Sequence, residues 1–274
     1  MTTTMRDRGR WIGLALTVVS LSASMSAHEF WIEPTTFTPA AGTIVGIRAR
    51  VGDGVLGDPV PRDASLLQEL VVDAGGGRVP VVGREGGDPA GLLRIDGDRL
   101  HVVGYLGKPT PVELPAAKFN TYLEDEGLTA IIAERARLHA EGTSARELFT
   151  RCAKTLVLSG QSKAADRELG LPLELIAEQL PESSDGTHTF RLVYLGHPLR
   201  GALVTAIHRT HGERLSLRSD AEGRVRFVLP RDGEWLIKSV HMIKAPANTN
   251  ADWLSYWASL TFELPGNAAA SRPR

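Results

Sequence analysis

Between Phe30 and about Leu106 the sequence is a succession of short β-rich runs broken by glycine-rich turns, a texture that no helical bundle shares. Thr43 to Val51 and Leu100 to Leu106 are such runs, and Gly52-Asp53-Gly54, Gly75-Gly76-Gly77 and Asp96-Gly97-Asp98 lie between them. Closely spaced strands with turns of this kind predict a sandwich.

The texture changes at Pro115. From Ala116 to Lys154 there is no proline and little glycine, and apolar residues recur three or four apart through Phe119, Leu123, Leu128, Ile131, Ile132 and Leu138. That spacing predicts a helical pair, broken near Gly142-Thr143, as an insert over 115–160. Cys152 falls at its end, with no histidine close in sequence, and is expected to be a structural thiol.

From His188 a second β-rich region begins. Strands are expected over 189–194, 202–209, 215–218, 224–229, 234–243 and 259–264, with turns at Leu195-Gly196-His197-Pro198 and Asp220-Ala221-Glu222-Gly223. Their order is similar to a prealbumin-like or collagen-binding-B-like sandwich module. The fold class expected is therefore mainly β: one sandwich-like module over 28–114, the helical insert, a second over 161–266, and a disordered tail over 267–274. Trp253 and Trp257, four apart, have the spacing that stacks two indoles on one helical face, with Asp252 as the cap; either core packing or a platform for a sugar ring would use them.

Export is expected from the N-terminus. Three arginines within Met1 to Arg10 precede an apolar run from Trp11 to Leu21, which is too short to span a bilayer, and small residues crowd Ser20 to Ala27. The segment 1–27 reads as a signal peptide, cut after Ala27 or after Ser26, which predicts a soluble periplasmic protein. Removing 27 residues from 274 leaves 247, with 28 basic against 31 acidic residues. Nothing in that balance attracts nucleic acid. The single cysteine excludes an internal disulfide.

Ala27 to Pro34, Gly233 to Met242 and Asp252 to Phe262, together with Ala153 to Val157 and Leu171 to Glu174, resemble a bacterial periplasmic family of otherwise unknown function, often described as the periplasmic component of cobalt or nickel uptake. The resemblance implies a divalent transition metal as ligand, nickel or cobalt first, and a membrane importer as partner.

The residues offer ligands for such an ion. A cut after Ala27 gives His28 a free α-amino group beside its imidazole, and the two together chelate. Imidazole equally suits copper and zinc. His241 shares a strand face with Trp235, Ile237 and Ser239, and is the first choice for a third nitrogen. Against that stands the commoner role of such a histidine, hydrogen-bonded in a core. His208, His211 and His101 are the other candidates; His208 and His211 flank a hairpin expected to be solvated. Glu29 is a candidate oxygen ligand.

No Gly-x-Ser-x-Gly elbow, His-Glu-x-x-His helix or phosphate-binding glycine loop occurs, so no enzyme is expected. Two readings remain beside a weaker one, a copper oxidase built on an N-terminal histidine. The first is a periplasmic metal-binding protein. The second is a non-metal β-sandwich binding or adhesion module of the cell envelope.

Overall fold

The computed structural model describes residues 29–162, 164–178, 186–229 and 232–265. The signal segment 1–27, His28 and the tail 267–274 lie outside the described residues. The chain is mainly β. In order come β1 (Glu29–Pro34), β2 (Ile44–Gly52), β3 (Gly57–Val60), β4 (Leu67–Asp73), β5 (Arg78–Pro80), β6 (Gly91–Arg94), β7 (Leu100–Gly107) and β8 (Thr110–Leu114). Two helices follow, α1 (Ala116–Asp125) and α2 (Thr129–Arg137). The remaining strands are β9 (Ala145–Leu158), β10 (Leu173–Ala177), β11 (Thr187–Tyr194), β12 (His197–Pro198), β13 (Leu203–His208), β14 (Arg214–Arg218), β15 (Arg224–Val228), β16 (Gly233–Lys244) and β17 (Trp253–Leu264).

These strands make three sheets. The largest runs β14-β13-β16-β17-β9-β7-β4-β5, with β8 also paired to β9. It joins strands from both β-rich regions, and the join is the parallel pairing of β17 with β9 in a sheet otherwise antiparallel. On one side lies the sheet of β1, β2, β3 and β6; on the other, that of β10, β11, β12 and β15.

Alternation along the central strands explains the layering. Val103 and Tyr105 of β7 and Ala153 and Val157 of β9 pack with Phe30, Ile32, Val45 and Ile47 of the first sheet. Their neighbours Val102, Leu106, Cys152 and Leu156 pack with Leu173, Leu175, Phe190 and Phe227 of the third. The first face is completed by the helices, whose Phe119, Tyr122 and Leu123 pack on Val240, Met242 and Trp253. A direct bond ties the layers, Thr261 Oγ1 of β17 donating to the Ile32 carbonyl of β1 at 2.6 Å.

Two sequence expectations fail here. The helical segment ends at Arg137, its internal break falls at Gly127 (φ 61°) and not near Gly142, and residues 145–158 form the long strand β9. β9 is buried on both faces from Cys152 to Val157, and its apolar residues recur in pairs at Leu148-Phe149, Cys152-Ala153 and Leu156-Val157, a spacing of three and four that imitates a helix and shows no two-residue alternation. The segment from Trp253 is likewise a strand. A spacing of four is even, so Trp253 and Trp257 share a face on a strand as they would on a helix. Asp252 caps no helix; its carboxylate accepts from the Arg146 backbone N–H and guanidinium, both at 2.9 Å.

Cys152 is 1% exposed, and burial pushes its thiol up to about 12. Iodoacetamide at mildly alkaline pH should therefore leave the native chain unlabelled and label it fully in urea, followed by mass spectrometry. Rapid labelling of the native protein would show that β9 opens readily.

Candidate functional site

Glu29 begins β1 and turns its side chain inward. Its Oε1 lies 2.7 Å from the Lys238 ammonium, which also meets Glu126 Oε1 at 2.6 Å, and Arg214 approaches to 3.8 Å. Glu126 is the residue that ends α1, so the cluster fastens the first strand and the helix to the middle of β16. Burial lifts the Glu29 carboxyl above its usual range, although Lys238 pulls the other way. This is a buried ion-pair knot, and it occupies the carboxylate expected to serve a metal.

His208 ends β13 and is 2% exposed, not solvated as expected. Its Nδ1 accepts from the backbone N–H groups of Thr210 and His211, each at 3.2 Å. Its Nε2 lies 3.0 Å from the Asp232 carbonyl, so the proton sits on Nε2 and the ring is neutral with no lone pair left for a metal. The turn does bring the His208 and His211 rings together, at 4.8 Å. His101 is buried, with Nε2 2.9 Å from Asp96 Oδ1.

His241 differs. It continues the core face of Trp235 and Ile237, but at the rim, where it is half-buried and has no hydrogen bond among the described residues. Burial pushes its pKa below the usual imidazole value, which keeps the ring uncharged near neutral pH. Its ring meets Tyr194 of β11 at 4.5 Å, edge to face, and Tyr194 meets Tyr256 of β17 at 5.2 Å. Register pairs His241 with Tyr256 directly. Tyr194, pushed up to about 12 by burial and by bonding to the Tyr256 hydroxyl, stays a phenol.

Lys238 and His241 are three apart on an unbroken strand and face opposite ways. The central sheet therefore stands between Glu29 and His241, and His208 is closed off in its own hairpin. The expected ligands are not brought together, and among the described residues no group of three or more histidine, cysteine, aspartate or glutamate side chains could hold a metal.

The tryptophans of the tail go to structure. Trp253 is buried beside the helices, and Trp257 stacks on Tyr122 at 5.3 Å with ring planes 15° apart. The Trp257 indole N–H donates to Ser255 Oγ at 3.1 Å, and Ser255 and Tyr122 both donate to the buried Glu147 carboxylate.

Two groupings have little signature in the sequence. Tyr194 and Tyr256 are far apart in the chain, and only register unites them. Lys154, Asp166 and Glu174 form a wholly buried triad in the main core, the ammonium 3.1 Å from Asp166 Oδ1 and 2.9 Å from Glu174 Oε1. Here a signal existed, a charge inside each of two apolar runs, Ala153-Lys154-Thr155-Leu156 and Leu173-Glu174-Leu175.

Residues 25–243 match the model of a family described as a domain of unknown function, DUF4198. No curated protein is matched. Among solved structures, the crystal structure of dimeric latent PorU from Porphyromonas gingivalis aligns over 88% of this chain and 21% of that one, at 11% identity and a TM-score of 0.18. The chain spans about a fifth of PorU's length, and a likeness so slight bears on neither fold nor function. With its match running from residue 25 to residue 243, over well more than half its length, the chain belongs to the DUF4198 family.

Proposed function

We propose that this chain is a non-catalytic β-sandwich binding module of the cell envelope, and that it contacts its ligand through Tyr194, Tyr256 and His241. The observation that carries this reading is the character of the rim. Two phenols and an uncharged imidazole stand half-buried at the edge of a rigid core, with flat apolar faces beside hydroxyl groups. Such a surface suits a sugar ring, which offers C–H groups on its face and hydroxyls at its edge.

Titration with soluble cell-envelope oligosaccharides, including peptidoglycan fragments, tests it. Tyr256→Ala should weaken binding by about tenfold, the equivalent of roughly 1.4 kcal/mol, while the midpoint of urea unfolding moves little. Unaltered affinity in Tyr256→Ala and His241→Ala would remove the patch from the reading, and no binding of any glycan would remove the reading itself.

The metal-uptake reading has one observation in its favour: His241 is uncharged near neutral pH, as a ligand must be. On that reading the chain holds nickel or cobalt for a membrane importer, with His28 as a second ligand. Because Glu29 and His241 lie on opposite faces of the central sheet, a site at the chain's beginning would draw on other groups than His241. Titration of the exported chain with nickel, cobalt, copper and zinc, repeated with His241→Ala and with one residue added before His28, separates the two places.

A further inference from the structure

We propose that Arg151 anchors a second binding site, which takes the carboxylate of a small organic acid in the seam between the first sheet and the helical pair. This goes beyond the binding role and does not depend on it. Arg151 of β9 pairs with Trp257 and His241 of β16 pairs with Tyr256, and consecutive residues of β17 face opposite ways. The two places are therefore on opposite faces of the central sheet.

Arg151 stands where the sheet changes hands. Thr110 of β8 lies opposite Phe149, and Leu106 of β7 opposite Cys152, so β9 exchanges one partner for the other at this residue. Gly107, at the end of β7, puts no side chain beside it; a Cβ there would be 3.4 Å from that of Arg151. The guanidinium sits over two rings, 4.5 Å from the centre of Phe30 in β1 and 5.3 Å from that of Phe149. Phe30 in turn meets Tyr105 at 4.8 Å, and the Tyr105 phenol is close enough for the Arg151 charge to act on it. On the other side is Trp257, half-buried and stacked on Tyr122 of α1.

Aromatic rings hold a guanidinium by its face and leave the N–H groups at its edge open. Elsewhere in the chain those groups are used. Arg50 and Arg209 meet Glu33, Arg167 meets Asp73, and Arg135 donates to the carbonyls of Ala140 and Thr143. Arg151 is half-buried, yet among the described residues it makes no hydrogen bond and no ion pair. Burial pushes its guanidinium below the usual arginine range, with Tyr105 alone acting the other way. The nearest acid acting on Tyr105, Asp63, is held by the Ser65 backbone N–H at 2.7 Å and its hydroxyl at 2.6 Å. A charge drawn out of water without a counter-ion is costly, and a bound anion relieves that cost.

The class of anion follows from the surroundings. No second cation acts on Arg151, and the ammonium of neighbouring Lys108 is turned to the Ala64 carbonyl at 2.7 Å. One guanidinium matches one negative charge, and its planar edge matches the fork of a carboxylate through two parallel bonds. A phosphate dianion would leave half its charge unanswered. Phe30, Phe149 and Trp257 beside the cation suit an acid whose body is apolar. An aryl carboxylate has both parts.

Calorimetric titration of the full chain with sodium benzoate, at an ionic strength held constant with chloride, tests the proposal. Saturable binding is expected, with phosphate binding less tightly, and Arg151→Met, which keeps the apolar stem, should weaken benzoate by about tenfold or more. No saturable binding of benzoate, or equal affinity in Arg151→Met, would overturn the proposal; phosphate binding more tightly than benzoate would overturn the carboxylate class. A second measurement needs no variant to fold. Phenylglyoxal modifies guanidinium groups and stops trypsin from cutting after them, so benzoate should slow the loss of the Glu147–Arg151 peptide from wild-type chain while leaving modification of the exposed Arg200 unchanged. Arg151 modified at one rate with and without benzoate, or not modified at all, would count against the site.

Discussion

Replacing Lys238 by methionine is expected to lower the stability of the chain by about 3–5 kcal/mol, because it strands two carboxylates in a site built around one ammonium. Lys238 is 8% exposed; Glu29 and Glu126 are 6% and 4%. Burial opposes the lysine's charge most strongly, yet Glu29 and Glu126 together outweigh it and hold Lys238 above the usual lysine range. Urea unfolding followed by tryptophan fluorescence measures the loss. Glu29→Gln and Glu126→Gln added to Lys238→Met should recover part of it, since neutral amides need no counter-charge. A loss below about 1 kcal/mol would mean that water reaches the carboxylates once the lysine is gone.

The pH dependence has a definite sign. Glu29 titrates above its ordinary value of 4.5 in the folded chain, so the fold holds that proton more tightly than the unfolded chain does. Its contribution therefore favours the fold below the ordinary value and fades as pH rises through the raised one. Without Lys238 the carboxyl is raised further. The deficit of Lys238→Met should be widest near neutral pH and narrow on acidification toward the ordinary value.

Trp31→Ala is expected to cost about as much, roughly 3–5 kcal/mol, by leaving a cavity the neighbouring strands cannot fill. The indole is fully buried with Ile207 and Leu236, and Gly57 runs so close that a Cβ there would lie 2.4 Å from the ring. Its N–H donates to Glu33 Oε2 at 2.8 Å, the Arg209 guanidinium lies 4.9 Å over the ring, and Arg209 meets Glu33 at 2.6 Å. Truncation thus removes packing, a hydrogen bond and the floor of an ion pair together. Trp31→Phe, which keeps most of the packing, should lose distinctly less. Equal melting temperatures for wild type and Trp31→Ala in calorimetry would contradict this placement of β1.

The strands with one polar face or clear turn residues were legible in the sequence: β2, β7, β11, β13, β15 and β16 fall within a residue or two of where hydrophobic pattern and glycines set them. β9 was not, because its apolar pairs Leu148-Phe149, Cys152-Ala153 and Leu156-Val157 recur three and four apart, the spacing of a helix. The first part of β17 was mistaken for a helix because Trp253 and Trp257 fit either period, whereas 259–264 was read as the strand it is. Histidines drew attention as metal ligands from residue type alone, which says nothing of a side chain's neighbours. His208 proved to be spent on its own hairpin and the Asp232 carbonyl, and Glu29 on Lys238. The rim of Tyr194, Tyr256 and His241 rests on strand register across two sheets, which no local pattern encodes.

The place of β17 has a consequence for how the molecule comes into being. This strand, the last in chain order among the described residues, stands between β16 and β9 in the middle of the central sheet. Until Trp253 to Leu264 has left the ribosome, both of those neighbours present open edges, and the parts of the sheet made earlier have nothing to join them. Folding cannot ratify itself stretch by stretch from the N-terminus, and the nascent chain must be kept from pairing with its own kind until β17 has emerged. Once released, it has to close contacts between residues more than a hundred positions apart, a search that is slow for topologies of this class.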